Sequence, residues 1–442
     1  MTTATNGEEI LLEGNTSGSV RVLVRIRPLA AQERSKTCIA CTSATTLQHT
    51  AADGNNLGFT FDGVHGASAD QAETFQEVQD IVCSVLRGQN GCIMAYGQTG
   101  SGKTHTLIGD ISSGQQKGLL ARAVNEIAVG VADCVDDCYF SVNLSVVEIY
   151  CERIRDLLSS DAGSDNLVVQ QDRQRGVYIA GATQVPVQTE SELVALMQQG
   201  IAKRTVARTG MNAASSRSHC LVMLAVEKHW PDGTINYGKL CLVDLAGSER
   251  QDRTGAEGVT FEEGKLINKS LSALGNVVNA LTDGRSAHVP YRDSKLTRAL
   301  ADCLGGNSRT ALIICCSPST DNATETLSSL RFGVRAKGIV NTLQAPSVKR
   351  AAAEELGRLL AEAQRECAEL RSQLAALMEE HNAGDKQVVS SGVTDPRQAE
   401  GVALTKPACA AMAQSSKVGV VRILGFLQVI VLLLLVLTEI VL

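Results

Sequence analysis

The segment Gly97-Gln98-Thr99-Gly100-Ser101-Gly102-Lys103-Thr104 constrains this chain more than any other. It fits the pattern G-x-x-x-x-G-K-[ST], whose glycines let successive backbone N–H groups turn inward around phosphate oxygens. The run Cys92–Ala95 just before it reads as a strand, and a helix can start at Lys103. A helix N-terminus adds partial positive charge where the phosphates would lie. Lys103 then reaches the β- and γ-phosphates of a nucleotide, and Thr104 reaches Mg²⁺.

A second segment supports the first. The strand Lys239–Val243 ends in Asp244-Leu245-Ala246-Gly247. An acid at a strand end suits holding Mg²⁺ through water. Gly247, three residues on, can offer its backbone N–H to the γ-phosphate and so report whether that group is present. Between the two lies Asn212–His219, with Ser215, Ser216 and Arg217 just before a strand. Two hydroxyls and a guanidinium there can close over the nucleotide.

The rest of the chain sets the frame. Strands are predicted at Val20–Ile26, Gly91–Ala95, Phe140–Tyr150, His219–Lys228, Lys239–Val243 and Thr310–Cys315. Helices are predicted at Ala72–Arg87, Leu119–Asp133, Glu190–Ala207, Lys265–Leu281 and Ser294–Asp302. Such alternation predicts an α/β fold, a mixed central sheet with helices on both faces. With 44% hydrophobic and 20% charged residues, the chain can bury a sizeable core. The net charge of −6, from 41 basic and 47 acidic side chains, excludes a uniformly basic coat, so no nucleic-acid partner is expected.

The 14 cysteines are far too sparse for a disulfide scaffold. Met1–Asn15 lacks a basic stretch followed by an apolar one, so reduced thiols and a cytoplasmic location are expected. Cys38 and Cys41 form a lone C-x-x-C with no second pair at zinc spacing, and they read as ordinary thiols near a strand. Cys315 and Cys316 read as small core residues.

Taken in order, the motifs resemble one family closely, the kinesin motor domain. They are Arg25–Pro28, the phosphate loop, Asn212–His219, Asp244–Glu249, Asn268–Asn276 and His288–Arg298. The resemblance runs from about Val20 to Leu343, and Leu330–Lys337 followed by Asn341-Thr342 is most similar to conventional, transport-type kinesins. It implies a P-loop NTPase-type motor domain that binds ATP and Mg²⁺. Arg27 and Pro28 would contact adenine, with His105 on its other side. Gly97 through Thr104 would cradle the phosphates; Thr104 and Ser216 would bind Mg²⁺, with Asp244 behind them. Ser215 would sit near the γ-phosphate and the attacking water. Arg217 would pair with Glu249, which would take the water's proton through a second water.

The implied activity is microtubule-stimulated ATP hydrolysis by a plus-end-directed motor on the cytoplasmic cytoskeleton. Alternatives are an ATP-gated regulator of microtubule ends, of the depolymerase type, and a non-catalytic microtubule-binding adaptor. The filament is acidic, so a local basic face is expected despite the net charge. Arg250, Arg253, Lys265, Lys269, Arg292, Lys295 and Arg298, with Tyr291, are its candidates. Asp283–Ala287 holds one basic residue, Arg285, so no lysine-rich loop provides a diffusive tether. Gly264, where the family tends to have alanine, is expected to mark a hinge or a helix end, because glycine costs about 1 kcal/mol in a helix interior.

Six segments follow. Residues 1–17 are expected to be disordered apart from a short cover strand at Ile10–Leu12, and 18–338 form the motor domain. The neck linker, 339–347, carries Pro346 where the family usually has a latching asparagine. Residues 348–380 read as a short coiled coil. Its apolar seam runs Ala353, Leu356, Leu360, Ala363, Cys367, Leu370, Leu374 and Leu377, a 3-4 spacing that fits a single helix or a weak homodimer through 353–377. Residues 381–417 read as a flexible linker. The last segment, 418–442, is strongly apolar; at about 1.5 Å per residue it spans roughly 37 Å, enough for the hydrocarbon core of a membrane. It is expected to anchor the chain on an intracellular membrane.

Overall fold

The computed structural model describes residues 16–33, 36–51, 53–110, 114–160, 165–172, 176–206, 217–249, 259–284, 286 and 288–344, together with 364, 365, 368, 371 and 372. The strands are β1 (Thr16–Ser19), β2 (Arg21–Ile26), β3 (Ile39–Cys41), β4 (Thr46–Thr50), β5 (Asn56–Thr60), β6 (Gly63–His65), β7 (Gly91–Tyr96), β8 (Tyr139–Tyr150), β9 (Arg153–Asp156), β10 (Val168–Asp172), β11 (Gly176–Ala180), β12 (Val185–Pro186), β13 (His219–His229), β14 (Ile235–Asp244), β15 (Arg309–Cys316) and β16 (Val340–Leu343). The α-helices are α1 (Gln71–Gln76), α2 (Gln79–Leu86), α3 (Lys103–Leu107), α4 (Leu119–Ala132), α5 (Glu190–Val206), α6 (Val259–Thr282), α7 (Lys295–Ala299) and α8 (Ala323–Ala336).

Among the described residues the central sheet runs β12-β8-β13-β14-β7-β15-β2-β6, with β9 paired to β8. Its middle is parallel: β14 pairs with β7, β7 with β15, and β15 with β2. Strands buried on both faces read as continuous apolar runs, and β7 and β15 do so. Side chains alternate between the two faces. Cys92 and Met94 of β7 pack with Leu274, Val277, Leu296, Leu330 and Phe332, beneath α6, α7 and α8. Ile93 and Ala95 pack with Phe75, Val82, Leu119, Ile127 and Leu193, beneath α1, α2, α4 and α5. The mixed sheet with helices on both faces is therefore as the sequence predicts.

Three elements differ from the sequence reading. The helix over 72–87 is two helices, with Val78 between them in a non-helical conformation. Both halves present apolar residues to one core, so the periodicity runs through the break unmarked. The helix at Lys265 begins earlier, at Val259, which puts Gly264 inside it rather than at an end. The helix over 294–302 shrinks to α7, capped by Ser294, whose hydroxyl accepts from Thr297 N–H at 3.0 Å; Tyr291–Asp293 ahead of it is a 3₁₀ turn.

β16 continues from α8 and pairs antiparallel with β1, Thr16 opposite Leu343 and Ser19 opposite Val340. The strand partner of the neck segment is thus Thr16–Ser19; Ile10–Leu12 lies outside the described residues. Asn341 bolts β16 to the motor. It accepts from Gly305 N–H at 2.7 Å and donates to Cys303 O, Ser308 O and Thr310 Oγ1 at 3.1, 2.6 and 3.1 Å. Residues 364, 365, 368, 371 and 372 are helical and exposed, while the apolar seam and the segment 418–442 lie outside the described residues. No helix among the described residues is long and apolar enough to cross a membrane.

Candidate active site

The phosphate loop joins β7 to α3. Gly97, Gly100 and Gly102 adopt φ values of 149°, 73° and 103°, a region that favours glycine. A Cβ at Gly97 would also lie 2.3 Å from Cys315 O, so the loop can close on β15 only with glycine there. Lys103 is buried, and its ammonium donates to Gly97 O and Gln98 O at 2.8 Å each. Burial lowers its pKa, against the pull of Asp244. The ammonium is thus held within the loop by two carbonyl oxygens, weaker partners than a charged phosphate oxygen.

Asp244 ends β14 beside α3. Its Oδ2 accepts from Thr104 Oγ1 at 2.7 Å, while its buried Oδ1 has no hydrogen-bond partner. Behind it stands Arg204, near the end of α5. The guanidinium lies 3.7 Å from Asp244 Oδ2 and 3.4 Å from Glu148 Oε1 of β8, and it donates to Ser218 O at 3.1 Å. Neither Arg204 nor Glu148 was singled out by sequence. A basic residue in the last turn of a helix usually reads as solvated, and an acid within a strand gives no spacing signal.

The segment after β14 folds over the loop. Ser248 N–H donates to Gly97 O at 3.1 Å. Glu249 accepts from Thr99 N–H at 2.8 Å and from the Thr99 hydroxyl. A side chain at Gly247 would collide with Glu249 and Thr99, which leaves the Gly247 backbone facing the loop. Arg217 is half-buried two residues before β13, while Ser215 and Ser216 lie outside the described residues.

His219 provides a connection that sequence reading quoted without assigning. Its Nδ1 accepts from Ala246 N–H at 3.0 Å, and its Nε2 lies 2.8 Å from Ser270 Oγ on α6. A backbone N–H can only donate, so Nδ1 carries no proton and Nε2–H donates to Ser270. Burial, with Arg204 and Lys103 nearby, pushes the imidazole pKa down to about 3. One neutral ring thus ties β13 to the residue before Gly247 and to the middle of α6.

The adenine candidates flank this centre. Arg27 Nε donates to Gly100 O at 2.7 Å, and its guanidinium is clasped by Glu33, which lowers the Glu33 carboxyl to about 2. Pro28 and His105 are exposed, and His105 sits between Gln71 and Gln116 at 3.3 Å from each.

On the other candidate surface, Lys269, Arg292 and Arg298 are exposed and Lys295 is half-buried, spread over α6, the 3₁₀ turn and α7. Tyr291 turns inward: its hydroxyl donates to Leu304 O, so it braces this segment from within. Arg250 and Arg253 lie outside the described residues, and of Lys265 only its place on α6 is described.

The family profile described as the kinesin motor domain matches residues 25–339. The chain belongs to the kinesin motor family. A kinesin-like protein KIN-1 of Oryza sativa subsp. japonica is 46% identical over 333 residues, covering 73% of this chain and 69% of its own length. A kinesin heavy chain of Syncephalastrum racemosum is 48% identical over 327 residues, covering 73% of this chain and 34% of its own. A solved structure of a fast kinesin superposes with a TM-score of 0.70 at 44% identity, covering 76% of this chain and 96% of the other. The chain thus spans a kinesin motor domain and about a third of the length of that heavy chain. The resemblance to conventional kinesins therefore holds across the motor domain, and with it the P-loop fold.

The residues present fit Mg²⁺ and a nucleotide triphosphate. Thr104 Oγ1 and the unpartnered Asp244 Oδ1 offer oxygen, which suits a hard dication. Ser101 Oγ is buried in the loop without a partner, beside backbone N–H groups opened by three glycines in the left-handed region.

Proposed function

We propose that this kinesin chain is an ATP-driven microtubule motor, plus-end directed, whose motor domain hydrolyses ATP when bound to the filament. The observation that carries this reading is the continuity of Lys103, Thr104, Asp244 and Glu249 with α6 through His219 and Ser270. Phosphoryl transfer needs little covalent help from a protein; it needs a positioned water and stabilised charge. Lys103 exchanges two loop carbonyls for phosphate oxygens. Thr104 and Ser216 would hold Mg²⁺, with Asp244 behind them, and the ion would supply neutralisation of the charge that develops on the phosphates. Gly247 N–H would meet the γ-phosphate, and Ser215 would act beside the attacking water.

Glu249 has two partners to choose between. It holds Thr99 here, and in the hydrolytic arrangement it would pair with Arg217 and accept the water's proton through a second water. That exchange is a two-state element that nucleotide can bias. A movement at Gly247 reaches Ala246, then His219, then Ser270 on α6, the helix carrying Lys265 and Lys269. The neck segment, which is paired here through β16 with β1, would be the output end of that path. Residues 348–380 would form a weak dimer coil, and 418–442 would anchor the motor to an intracellular membrane.

The test is single-molecule motility on polarity-marked microtubules, residues 1–345 against the full chain, with steady-state ATPase alongside. Microtubule-stimulated turnover with plus-end movement is expected. Filament shortening without translocation would replace the motor by an end regulator, and binding without turnover would reduce it to an adaptor.

A further inference from the structure

We propose that Cys134 and Cys138, in the loop between α4 and β8, form a site of reversible oxidation, closing to an intramolecular disulfide by exchange with a low-molecular-weight disulfide such as oxidised glutathione. The two sulfurs lie 3.5 Å apart, and both residues are half-buried. The loop itself brings them together: Cys134 N–H donates to Val131 O at 3.4 Å and Cys138 N–H to Asp136 O at 2.8 Å, which folds the chain back on itself. Closing to a bond of about 2.05 Å needs only a small shift within this exposed turn.

The surroundings suit exchange. Lys228 Nζ donates to Asp136 Oδ2 at 2.6 Å and lies 4.0 Å from the centre of the Trp230 ring, which fixes an ammonium beside the loop. Burial pushes the Cys138 thiol up, and the Lys228 ammonium works against that. Access separates this pair from the others. Cys92, Cys241 and Cys303 also associate, but they are fully buried beneath the sheet, where no glutathione molecule reaches them. Elsewhere among the described residues Cys41 is exposed and Cys83 and Cys151 are half-buried; Cys83 gives its hydrogen to Glu126 at 3.3 Å, as Cys134 does to Asp136 at 3.6 Å, so what marks the Cys134–Cys138 pair is the second accessible thiol 3.5 Å away.

The same loop could instead hold a soft metal, since Asp136 places a third ligand atom within 4.8 Å of both sulfurs. Its Oδ2 is already the partner of Lys228, and a dication there would lie against an ammonium, which disfavours that reading.

The exchange balances in two steps. One thiolate attacks a sulfur of glutathione disulfide and expels a glutathione thiolate, leaving a mixed disulfide. The second thiolate attacks the cysteine sulfur of that mixed disulfide and expels the second glutathione. Two electrons pass to glutathione, and the two thiol protons end on the two glutathione products. The bond would staple the end of α4 to the start of β8.

The full chain is equilibrated in glutathione buffers of increasing oxidation, quenched in acid, alkylated, digested with trypsin and weighed. The peptide 123–153, which also contains Cys151, is expected to lose two hydrogens, carry no glutathione and take up one alkyl group, which fragmentation places on Cys151 while Cys134 and Cys138 both stay unalkylated. In Cys134→Ser and Cys138→Ser the remaining thiol should carry one glutathione instead. Thermal melts of both variants should match reduced wild type, which separates lost chemistry from lost fold. The proposal is overturned if wild type carries glutathione on either thiol at every poise, or if both stay open to alkylation when Cys41 is already modified. It is equally overturned if equimolar zinc protects both thiols in the reduced protein, which would make the loop a metal site.

Discussion

Glu249 and His219 both meet the stretch around Gly247, one through the chain and one through Ala246 N–H, and illustrate opposite uses of a polar group. Glu249 holds the phosphate loop through Thr99 and is a carboxylate with somewhere else to go. Glu249→Ala is expected to leave ATP binding intact and to lower microtubule-stimulated hydrolysis by at least about 10²-fold, the scale of a proton-handling group. Unchanged turnover at saturating ATP would remove it from the chemistry. His219 is fixed instead. Its folded pKa of about 3 lies below its ordinary 6.5, so between those values the unfolded chain binds a proton that the native one refuses. Stability contributed by the neutral ring is complete above pH 6.5 and is lost as pH falls towards 3. From pH 7 to pH 5 this is roughly 2 kcal/mol. A glutamine amide can keep both hydrogen bonds without titrating, so His219→Gln should show an acid loss smaller by about that amount in urea melts at the two pH values. Parallel losses in the two proteins would show that other groups control the acid limb.

At the scale of elements, α6 and α7 carry the surface proposed to meet the filament. Replacing Lys265, Lys269, Arg292 and Lys295 by alanine should raise the microtubule concentration for half-maximal ATPase and flatten its dependence on salt, because screened surface charge is what salt weakens. Unaltered co-sedimentation at low salt would move the binding face elsewhere. Which elements were legible follows from the same physics. Strands β7, β13 and β15 were readable because burial on both faces demands unbroken apolar runs. The small sheet β3-β4-β5 and the hairpin β10-β11 were not, since strands of three to five residues with exposed faces look like loops. The phosphate loop and Asp244 announce themselves because glycine and lysine spacing is dictated by a ligand. Arg204 and Glu148 do not, because their meeting depends on how α5 crosses β8, which no local pattern encodes.

At the scale of the whole molecule, the motor belongs to a unit of residues 1–358, and the apolar C-terminal segment belongs to another. If 418–442 spans a bilayer, a central arginine costs about 2.5–3.5 kcal/mol, so Leu432→Arg with Leu434→Arg costs roughly 5–7 kcal/mol, comparable to the whole apolar gain. Fused to a fluorescent protein, the wild-type segment should resist alkaline carbonate extraction and the double variant should wash off, with ATPase of the full-length variant unchanged. Equal extraction of both would make the segment an assembly helix. The pairing of β1 with β16 has a mechanical meaning too. Tension that lifts the chain beyond Leu343 away from the motor opens the ladder one rung at a time, Thr16 from Leu343 first. That peeling also breaks Gln344 N–H to Asn307 Oδ1 at 2.8 Å and Thr342 N–H to Gly306 O at 3.0 Å before it reaches Asn341, where bonds to Gly305, Cys303, Ser308 and Thr310 must yield together. Tension along the strand axis instead loads every rung in shear at once. The joint is therefore weak to one direction of pull and strong to another, and it can transmit load with a sense of direction before any second head is considered.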